Sequence, residues 1–360
     1  FWTGDPSRPF ADALAVSEGR ITALLDRGEV ARALAGGGSV RQLPGVLAVP
    51  GLTDAHGHLL GYGLSRRRVD LVGTRTLEEA LARVEKYAAE HPDDTWILGR
   101  GWDQHDWPDH AWPDADRLEQ IVPGRPCALA RIDGHAYWVN RTALAEAGIG
   151  ARTADPHGGK IHHDANHRPT GILIDEAMEL VRAKIPDPGT KEVEDALLTA
   201  ARDLLAVGLT GVHDMDTDGL TWKVMQDLAR EGRFPLRVTA YARLHSDLHK
   251  DLVEHGPVES GRLRAAGVKI YADGALGSRG ARLLAPYQDD RRSPGLWITE
   301  PPAIEREVEA AFAARLQPAV HAIGDAAVRS ALEALEAARR DGGPVALRVE
   351  HVQVAAPEDF

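Results

Sequence analysis

Apolar and polar residues change their period along this chain. Short apolar runs, which predict buried strands, alternate with longer stretches in which apolar residues recur every three or four positions, as on one face of a helix. The predicted strands lie at residues 208–214, 236–244, 267–273, 317–325 and 345–354. The predicted helices lie at residues 76–90, 191–207, 220–231, 303–315 and 326–340. Strands that alternate with helices indicate a parallel sheet and therefore an α/β fold.

The number of these repeating units suggests a barrel. Together with the apolar run before His56, the chain holds six strand–helix units, which is most of a (β/α)8 barrel. In such barrels the active site lies at the carboxyl ends of the strands. We therefore expect residues 51–360 to form an incomplete TIM-type barrel with strands 1–6 present.

The first 50 residues follow a different pattern. Residues 11–25 predict two short strands around a turn at Glu18-Gly19, and residues 42–50 predict another strand. Residues 1–50 therefore predict a small β domain that precedes the barrel.

The alternation also stops between about residues 92 and 175, where Trp, His, Asp, Pro and Gly are abundant. We interpret this segment as an insertion between the first and second barrel strands, and long insertions over a barrel mouth commonly carry function. Trp102 and His135 are its candidate substrate-binding residues. For any single tryptophan, a place in a small local core is the favoured alternative.

The first candidate for chemistry is His56-Gly57-His58, which ends an apolar run. Residues two apart on a strand point to the same face, so both imidazoles could bind one metal ion. Two half-exposed histidines at a strand end are the structural alternative. Lys269, His321 and His351, each at or near the end of a later apolar run, favour the metal hypothesis.

Lys269 is unusual for its residue type. The chain has 7 lysines among its 42 basic residues, so it prefers arginine elsewhere. A lysine within an apolar strand suggests chemistry that arginine cannot perform, although a lysine that extends its amine from a strand end to solvent is the alternative.

Composition narrows the class of protein. The 360 residues suggest roughly two domains, and a net charge of -12 argues against a nucleic-acid partner. No apolar stretch is long enough to predict a membrane span. Cys127 is the only cysteine, which excludes an intrachain disulfide and favours a reducing, cytoplasmic location. The chain begins at Phe1 without a methionine and stops at Phe360 within the predicted start of a helix, so both ends look cut. An upstream signal peptide therefore stays open.

Several motifs together resemble one known family. They are Pro50-Gly-Leu-Thr-Asp-Ala-His-Gly-His58, Gly99-Arg-Gly-Trp-Asp-Gln104, Asp133-Gly-His-Ala-Tyr-Trp-Val-Asn140, Val268-Lys-Ile-Tyr-Ala-Asp-Gly-Ala-Leu-Gly-Ser278, His321-Ala-Ile-Gly-Asp325 and Glu350-His351. Their order and spacing resemble the amidohydrolase superfamily, and within it amidohydrolase family 3, which includes N-substituted formamide deformylases. The resemblance implies a (β/α)8 barrel with a β-sandwich built from both chain ends.

The resemblance also implies roles for the strand-end residues. His56 and His58 resemble the metal ligands of strand 1, and His321 and His351 resemble those of strands 5 and 6. Lys269 resembles the lysine that is carboxylated in many members and bridges two metals. On this basis Lys269 and His321 are the candidate catalytic residues, and the aspartate base of strand 8 would lie beyond the chain end. Asp359 is a poor substitute, so the resemblance implies a fragment.

The expected chemistry is hydrolysis of a small amide by metal-activated water. Neutral imidazoles suit Zn²⁺ first, with Fe²⁺ and Mn²⁺ as alternatives, and the sequence leaves one or two ions open. A deaminase or a cyclic amidase would use the same metal ligands, and an inactive metal-binding or oligomerisation protein is the alternative of another class. A homodimer is also open.

A few neighbouring residues have weaker assignments. Asp273 and Ser278 could line the barrel mouth, with Asp273 as a substrate-binding candidate. Asp54 is favoured as structural, and Asp325 is favoured as a helix cap over a partner of His321. The default for His213 is packing in the core or at the rim. Four other histidines are expected at the surface: His105, His110, His162 and His163.

Overall fold

The computed structural model describes residues 1–134, 136–156, 159–175, 177–276, 280–288, 291–340 and 348–360. The candidates His135 and Ser278 lie outside these residues, as does the start of the strand predicted at 345–354.

The described strands follow one another along the chain as β1 Ala13–Ser17, β2 Arg20–Leu25, β3 Leu52–Gly57, β4 Val69–Asp70, β5 Ile97–Trp102, β6 Cys127–Arg131, β7 Ala136–Val139, β8 Gly159–His163, β9 Pro169–Asp175, β10 Leu209–Thr217, β11 Arg237–Arg243, β12 Val258–Ser260, β13 Leu263–Tyr271, β14 Gln317–Ala322 and β15 Val349–His351. The α-helices are α1 Val30–Ala33, α2 Leu59–Arg66, α3 Leu77–Glu90, α4 Ala115–Ile121, α5 Arg141–Glu146, α6 Met178–Arg182, α7 Thr190–Ala206, α8 Gly219–Arg230, α9 Asp247–His255, α10 Pro301–Ala313 and α11 Asp325–Arg340.

The first sheet contains the six strands that the sequence predicts, and we call it the barrel sheet. Its order is β3-β10-β11-β13-β14-β15, and every neighbouring pair is parallel, while the short β12 pairs with β13 in the antiparallel sense. Helices connect the successive parallel strands, as in part of a (β/α)8 barrel. The sheet curls so far that its two edge strands approach each other. A hydrogen bond from Arg348, beside β15, to the carbonyl of Ala55 in β3 shows this approach.

Side chains alternate between the two faces of the barrel sheet, as the period of a strand requires. Val268, Ile270 and Val320 face the helices and belong to the main hydrophobic core. Lys269 and His321, one position away, face the inside of the curl. This alternation carries the candidate residues to the interior surface.

A second sheet is formed between α2 and α7. Its order is β4-β5-β6-β7-β9-β8, with β4, β5 and β6 parallel and the remaining pairs antiparallel. Helix α3 packs on it, with Leu81 and Val84 in the same core as Trp102. This sheet begins at Val69, ahead of the segment predicted at 92–175, because β4 pairs with β5. The division of the chain into domains remains a prediction.

The N-terminal residues form one two-stranded antiparallel sheet, β1-β2, as predicted. Glu18 and Gly19 both have positive φ, 50° and 77°, which suits a tight hairpin turn. The prediction of a strand at residues 42–50 is wrong, since the structure has none there. Pro44 and Gly45 make a turn there, and a proline has no N–H to donate to a ladder.

No helix in the described ranges is long and apolar enough to span a membrane.

Candidate functional site

The structure brings the four predicted histidines together at the carboxyl ends of the barrel sheet. The ring centroids of His56 and His58 are 5.4 Å apart, and those of His56 and His351 are 4.8 Å apart. The rings of His321 and His351 are 4.6 Å apart. The imidazoles at the ends of β3, β14 and β15 therefore form one continuous cluster, with His58 directly after β3.

Lys269 completes this cluster from β13. Its side chain is only 1% exposed, and its Nζ has no hydrogen-bond partner among the described residues. The amine lies 5.2 Å from the centre of the Tyr271 ring. Burial lowers the pKa of Lys269 to about 8, so a fraction of the amine is neutral at mildly alkaline pH.

Burial also favours the neutral form of three imidazoles, those of His58, His321 and His351. It lowers the pKa of His58, and the charge of Lys269 lowers it further. It lowers the pKa of His321 despite the neighbouring Asp273. For His351, burial and then the charges of His321 and Lys269 lower the pKa to about 4. Neutral imidazole is the form that binds a metal ion.

Backbone conformation at the end of β15 explains how two adjacent residues reach the same place. In a regular strand Glu350 and His351 would face opposite sides. Here His351 and Val352 have φ of 74° and 47°, which is rare for residues other than glycine and strained for a β-branched one. As a result Glu350 binds His56 Nδ1 while the His351 ring packs on His56.

Three acidic residues at the site received no role from the sequence. Glu350 is buried and accepts from His56 and from Arg348. Asp214 is buried and accepts from the backbone N–H of Leu59 at 2.7 Å, which holds the residue after His58. Asp216 has a buried Oδ1 that has no partner among the described residues. The only sequence signal for them was their place at strand ends.

Asp216 deviates from its strand. It has φ of 68°, and the register of β10 and β11 shifts between Met215 and Thr217. Its Oδ2 accepts from Arg243 Nε at 3.0 Å. The bulge thus turns the Asp216 carboxylate towards the site. There its negative charge partly offsets the lowering of the pKa of His58 and of Lys269.

Trp102 occupies a different environment from the one predicted for a substrate-binding residue. It is completely buried, its indole N–H donates to Leu129 O at 2.8 Å, and its ring packs at 6.3 Å from both Trp107 and Trp138. This placement favours the alternative, a local aromatic core, over contact with substrate.

Asp273 is likewise used by the backbone. It is completely buried, and its carboxylate accepts from the N–H groups of Ile323, Gly324 and Arg282 at 2.8–2.9 Å. Its Oδ1 also lies 3.5 Å from His321 Nε2. Asp273 therefore fixes the loop after β14, which favours a structural role over the predicted contact with substrate.

Three other residues from the sequence analysis make local contacts. Asp54 accepts from the backbone N–H of His56 at 3.0 Å, a structural role. Asp325 begins α11 and accepts from the N–H of Ala326 at 2.9 Å, as a residue of the helix start. His213 lies inside the curl and pairs with Arg348 at 2.7 Å.

Within the described ranges, no three His, Cys, Asp or Glu side chains are already arranged as a metal site. His56 Nδ1, for example, is engaged by Glu350. The ring spacing nevertheless suits a cation. A ring centroid lies about 3 Å from a metal bound to its nitrogen, so two imidazoles on one ion have centroids about 4.5–5.5 Å apart. The buried, unpaired nitrogens of Lys269 and His321 point to the same chemistry.

Comparison with known sequences identifies the family. The sequence profile described as the amidohydrolase family matches residues 40–360. The chain belongs to the amidohydrolase family.

Two relatives are informative. Over 308 residues the chain is 34% identical to "Putative amidohydrolase YtcJ" of Bacillus subtilis (strain 168), covering 82% of this chain and 56% of that protein. Over 370 residues it is 29% identical to the N-substituted formamide deformylase of Arthrobacter pascens, covering 98% of this chain and 67% of that protein. The chain thus spans between about half and two thirds of the length of these family members.

The fold of the chain also matches solved structures. A crystal structure described as an uncharacterized metal-dependent hydrolase from Pyrococcus furiosus matches with a TM-score of 0.80 and 31% identity. The match covers 96% of this chain and 69% of that one.

Proposed function

We propose that this chain carries the metal-binding part of a hydrolase that cleaves a non-peptide C–N bond, of the amide type, in a small molecule. The observation that carries the proposal is the convergence of four histidines and a buried lysine on the carboxyl ends of one parallel sheet. Family membership supports hydrolysis, and the name of the Arthrobacter pascens relative supports an amide-type bond.

His56, His58, His321 and His351 would hold a divalent metal ion, with Zn²⁺ expected first and Fe²⁺ or Mn²⁺ as alternatives. Such an ion, when bound, polarises a carbonyl oxygen and lowers the pKa of water. The lowered pKa values of His58, His321 and His351 support this assignment, since they favour the neutral imidazole that binds a metal ion.

Lys269 would take part as a carboxylated ligand. Only a neutral amine can attack carbon dioxide, and burial makes that form accessible by lowering the pKa of Lys269 to about 8. The nitrogen then forms a carbamate and releases a proton, which reverses the sign of the side chain. A carbamate could bridge two ions, whereas an unmodified amine would favour a single ion. His321, with an unpaired Nε2, is the proposed second catalytic residue.

Elemental analysis of the purified chain tests the metal site. We expect one or two equivalents of metal in the wild type and in His162→Ala, and none in His56→Ala. His162 is a suitable control because it lies in β8 of the second sheet, where its Nδ1 pairs with Thr170 at 2.9 Å. Metal retained in full by His56→Ala, or absent from the folded wild type after incubation with Zn²⁺, would refute the proposed site.

The bond type needs a separate assay. We expect the protein to release an amine from N-substituted formamides and related small amides. Release of ammonia from cyclic or aromatic amines without amide cleavage would identify a deaminase instead. Metal binding without turnover on either set would favour a protein that binds metal but has no catalytic activity.

A further inference from the structure

Arg348 makes an unusual number of contacts from a single position inside the curl. It precedes β15, its side chain is 16% exposed, and it reaches three other strands. Its Nη1 contacts His213 Nδ1 at 2.7 Å and Tyr241 Oη at 3.2 Å, and its Nη2 donates to Ala55 O. The guanidinium carbon also lies 5.0 Å from the centre of the Tyr241 ring. The position of this guanidinium is therefore fixed by β3, β10 and β11 together.

The same guanidinium engages both oxygens of Glu350. Nε donates to Oε1, and Nη2 donates to Oε2 at 3.3 Å. Arg348 precedes Glu350 by two residues in the extended segment that leads into β15, where Val320 N–H donates to Arg348 O, so their side chains share a face. A planar guanidinium is suited to this two-point contact, and the ammonium of a lysine is not. Arg348 thus fixes both the position and the plane of the Glu350 carboxylate.

The same carboxylate also binds His56. Oε2 of Glu350 pairs with His56 Nδ1. An ionised carboxylate only accepts hydrogen bonds, so Nδ1 of a neutral His56 must carry the proton. The lone pair is then on Nε2, the atom left to bind a metal ion.

We propose that Arg348 is a positioning residue that acts through Glu350 and selects the Nδ1–H tautomer of His56. Three side chains, Arg348, Glu350 and His56, form one relay that presents His56 Nε2 to the metal. The use of this nitrogen as a ligand rests on the proposed function, whereas the tautomer does not. Without the relay, His56 would be free to adopt the other tautomer, which cannot bind metal through Nε2.

Nitrogen-15 NMR of the histidine side chains tests the relay in metal-free protein. The His56 signals are assigned by comparison with His56→Gln. We expect Nδ1–H in the wild type, and a shift towards Nε2–H in both Glu350→Ala and Arg348→Met. Retention of the Nδ1–H form in Glu350→Ala would overturn the proposal. Because no metal is present, this result is independent of whether the chain is a metallohydrolase.

Zn²⁺ affinity measured by calorimetry then tests whether Arg348 acts through Glu350. Loss of a residue that orients a metal-binding histidine typically costs about 10- to 100-fold in metal affinity. We expect each single variant to lose affinity in this range, and Arg348→Met/Glu350→Ala to lose no more than Glu350→Ala alone. Losses that multiply in the double variant would show that Arg348 acts independently, and would overturn the relay.

A matched control separates this role from general stabilisation. Arg141 makes the same two-point contact with Asp116, at 2.7 and 2.8 Å, in the second sheet region. Arg141→Met should change stability while the His56 tautomer and Zn²⁺ affinity stay as in the wild type. Arg348→Lys keeps the charge inside the curl and serves if Arg348→Met does not fold. We expect it to shift the tautomer as well, and an unchanged tautomer in this variant would contradict the need for the guanidinium.

Discussion

In the second sheet, buried polar groups generally have partners, and at the carboxyl ends of the barrel sheet several do not. Asn140 in the second sheet region accepts from Cys127 and Ala143 and donates to Arg125 O. Trp107 Nε1 is an exception there. In the barrel sheet, Lys269 Nζ, His321 Nε2 and Asp216 Oδ1 are buried without partners among the described residues.

Unpaired buried groups cost free energy, and so does strained backbone. Both costs occur together at Asp216 near the end of β10, and strained backbone occurs again at the end of β15, where His351 and Val352 have positive φ. In the second sheet region, the described non-glycine residues with positive φ are His110 and His167, which lie in loops. This contrast indicates that the second sheet is built for stability, while the barrel sheet gives up stability where its chemistry would occur.

Trp102→Ala should have the largest effect on stability. Removing a completely buried tryptophan typically costs about 3–5 kcal/mol, because it leaves a cavity. Urea unfolding of the metal-free protein measures this loss. The metal content of the protein that remains folded should be unchanged, since the ring packs on Trp107 and Trp138. Loss of metal at full stability would instead place Trp102 in the site.

His321→Ala should show the opposite behaviour. As a proposed ligand, its removal should weaken Zn²⁺ binding by about 100-fold or more, equivalent to about 2.7 kcal/mol, by comparison with the 10- to 100-fold effect of residues that only orient ligands. Stability without metal should fall less than in Trp102→Ala, because Nε2 makes no hydrogen bond among the described residues and faces Asp273 Oδ1 only at 3.5 Å. Titration calorimetry and urea unfolding measure the two quantities. Equal Zn²⁺ affinities in His321→Ala and His162→Ala would remove the distinction between the sheets.

The sequence could predict the strands of the barrel sheet because buried parallel strands leave apolar runs, and the strand ends could be found because His and Lys terminate those runs. It could not predict that His351 would turn with φ of 74° and bring Glu350 beside His56, because that geometry depends on packing between distant strands. The role of Arg348 was hidden for the same reason. The sequence left two roles open for Trp102, because an aromatic residue in a motif looks the same whether it packs in a core or lines a pocket.

Asp214 offers the smallest of these effects and tests the cost of a polar group that does have partners. Burial raises its pKa from 3.8 to about 6, although Leu59 N–H and Thr217 Oγ1 both donate to its carboxylate. A raised carboxyl pKa favours the protonated folded state. Its contribution to stability is therefore complete below pH 3.8 and is lost as the pH rises through about 6.

Asp214→Asn removes this titration and keeps an oxygen for Leu59. The free energy of unfolding of the wild type, minus that of the variant, should therefore fall by about 1.5 kcal/mol between about pH 4.5 and 6. Urea unfolding across this range measures the difference. Asp227→Asn is a control that should stay flat over this range, because a hydrogen bond from Lys223 lowers the pKa of that carboxyl below its usual 3.8, so it is ionised in both the folded and the unfolded state. A difference that stays flat from pH 4.5 to 6 would mean that Asp214 is ionised in the folded protein at little cost, and the barrel sheet would then be less strained electrostatically than its unpaired groups suggest.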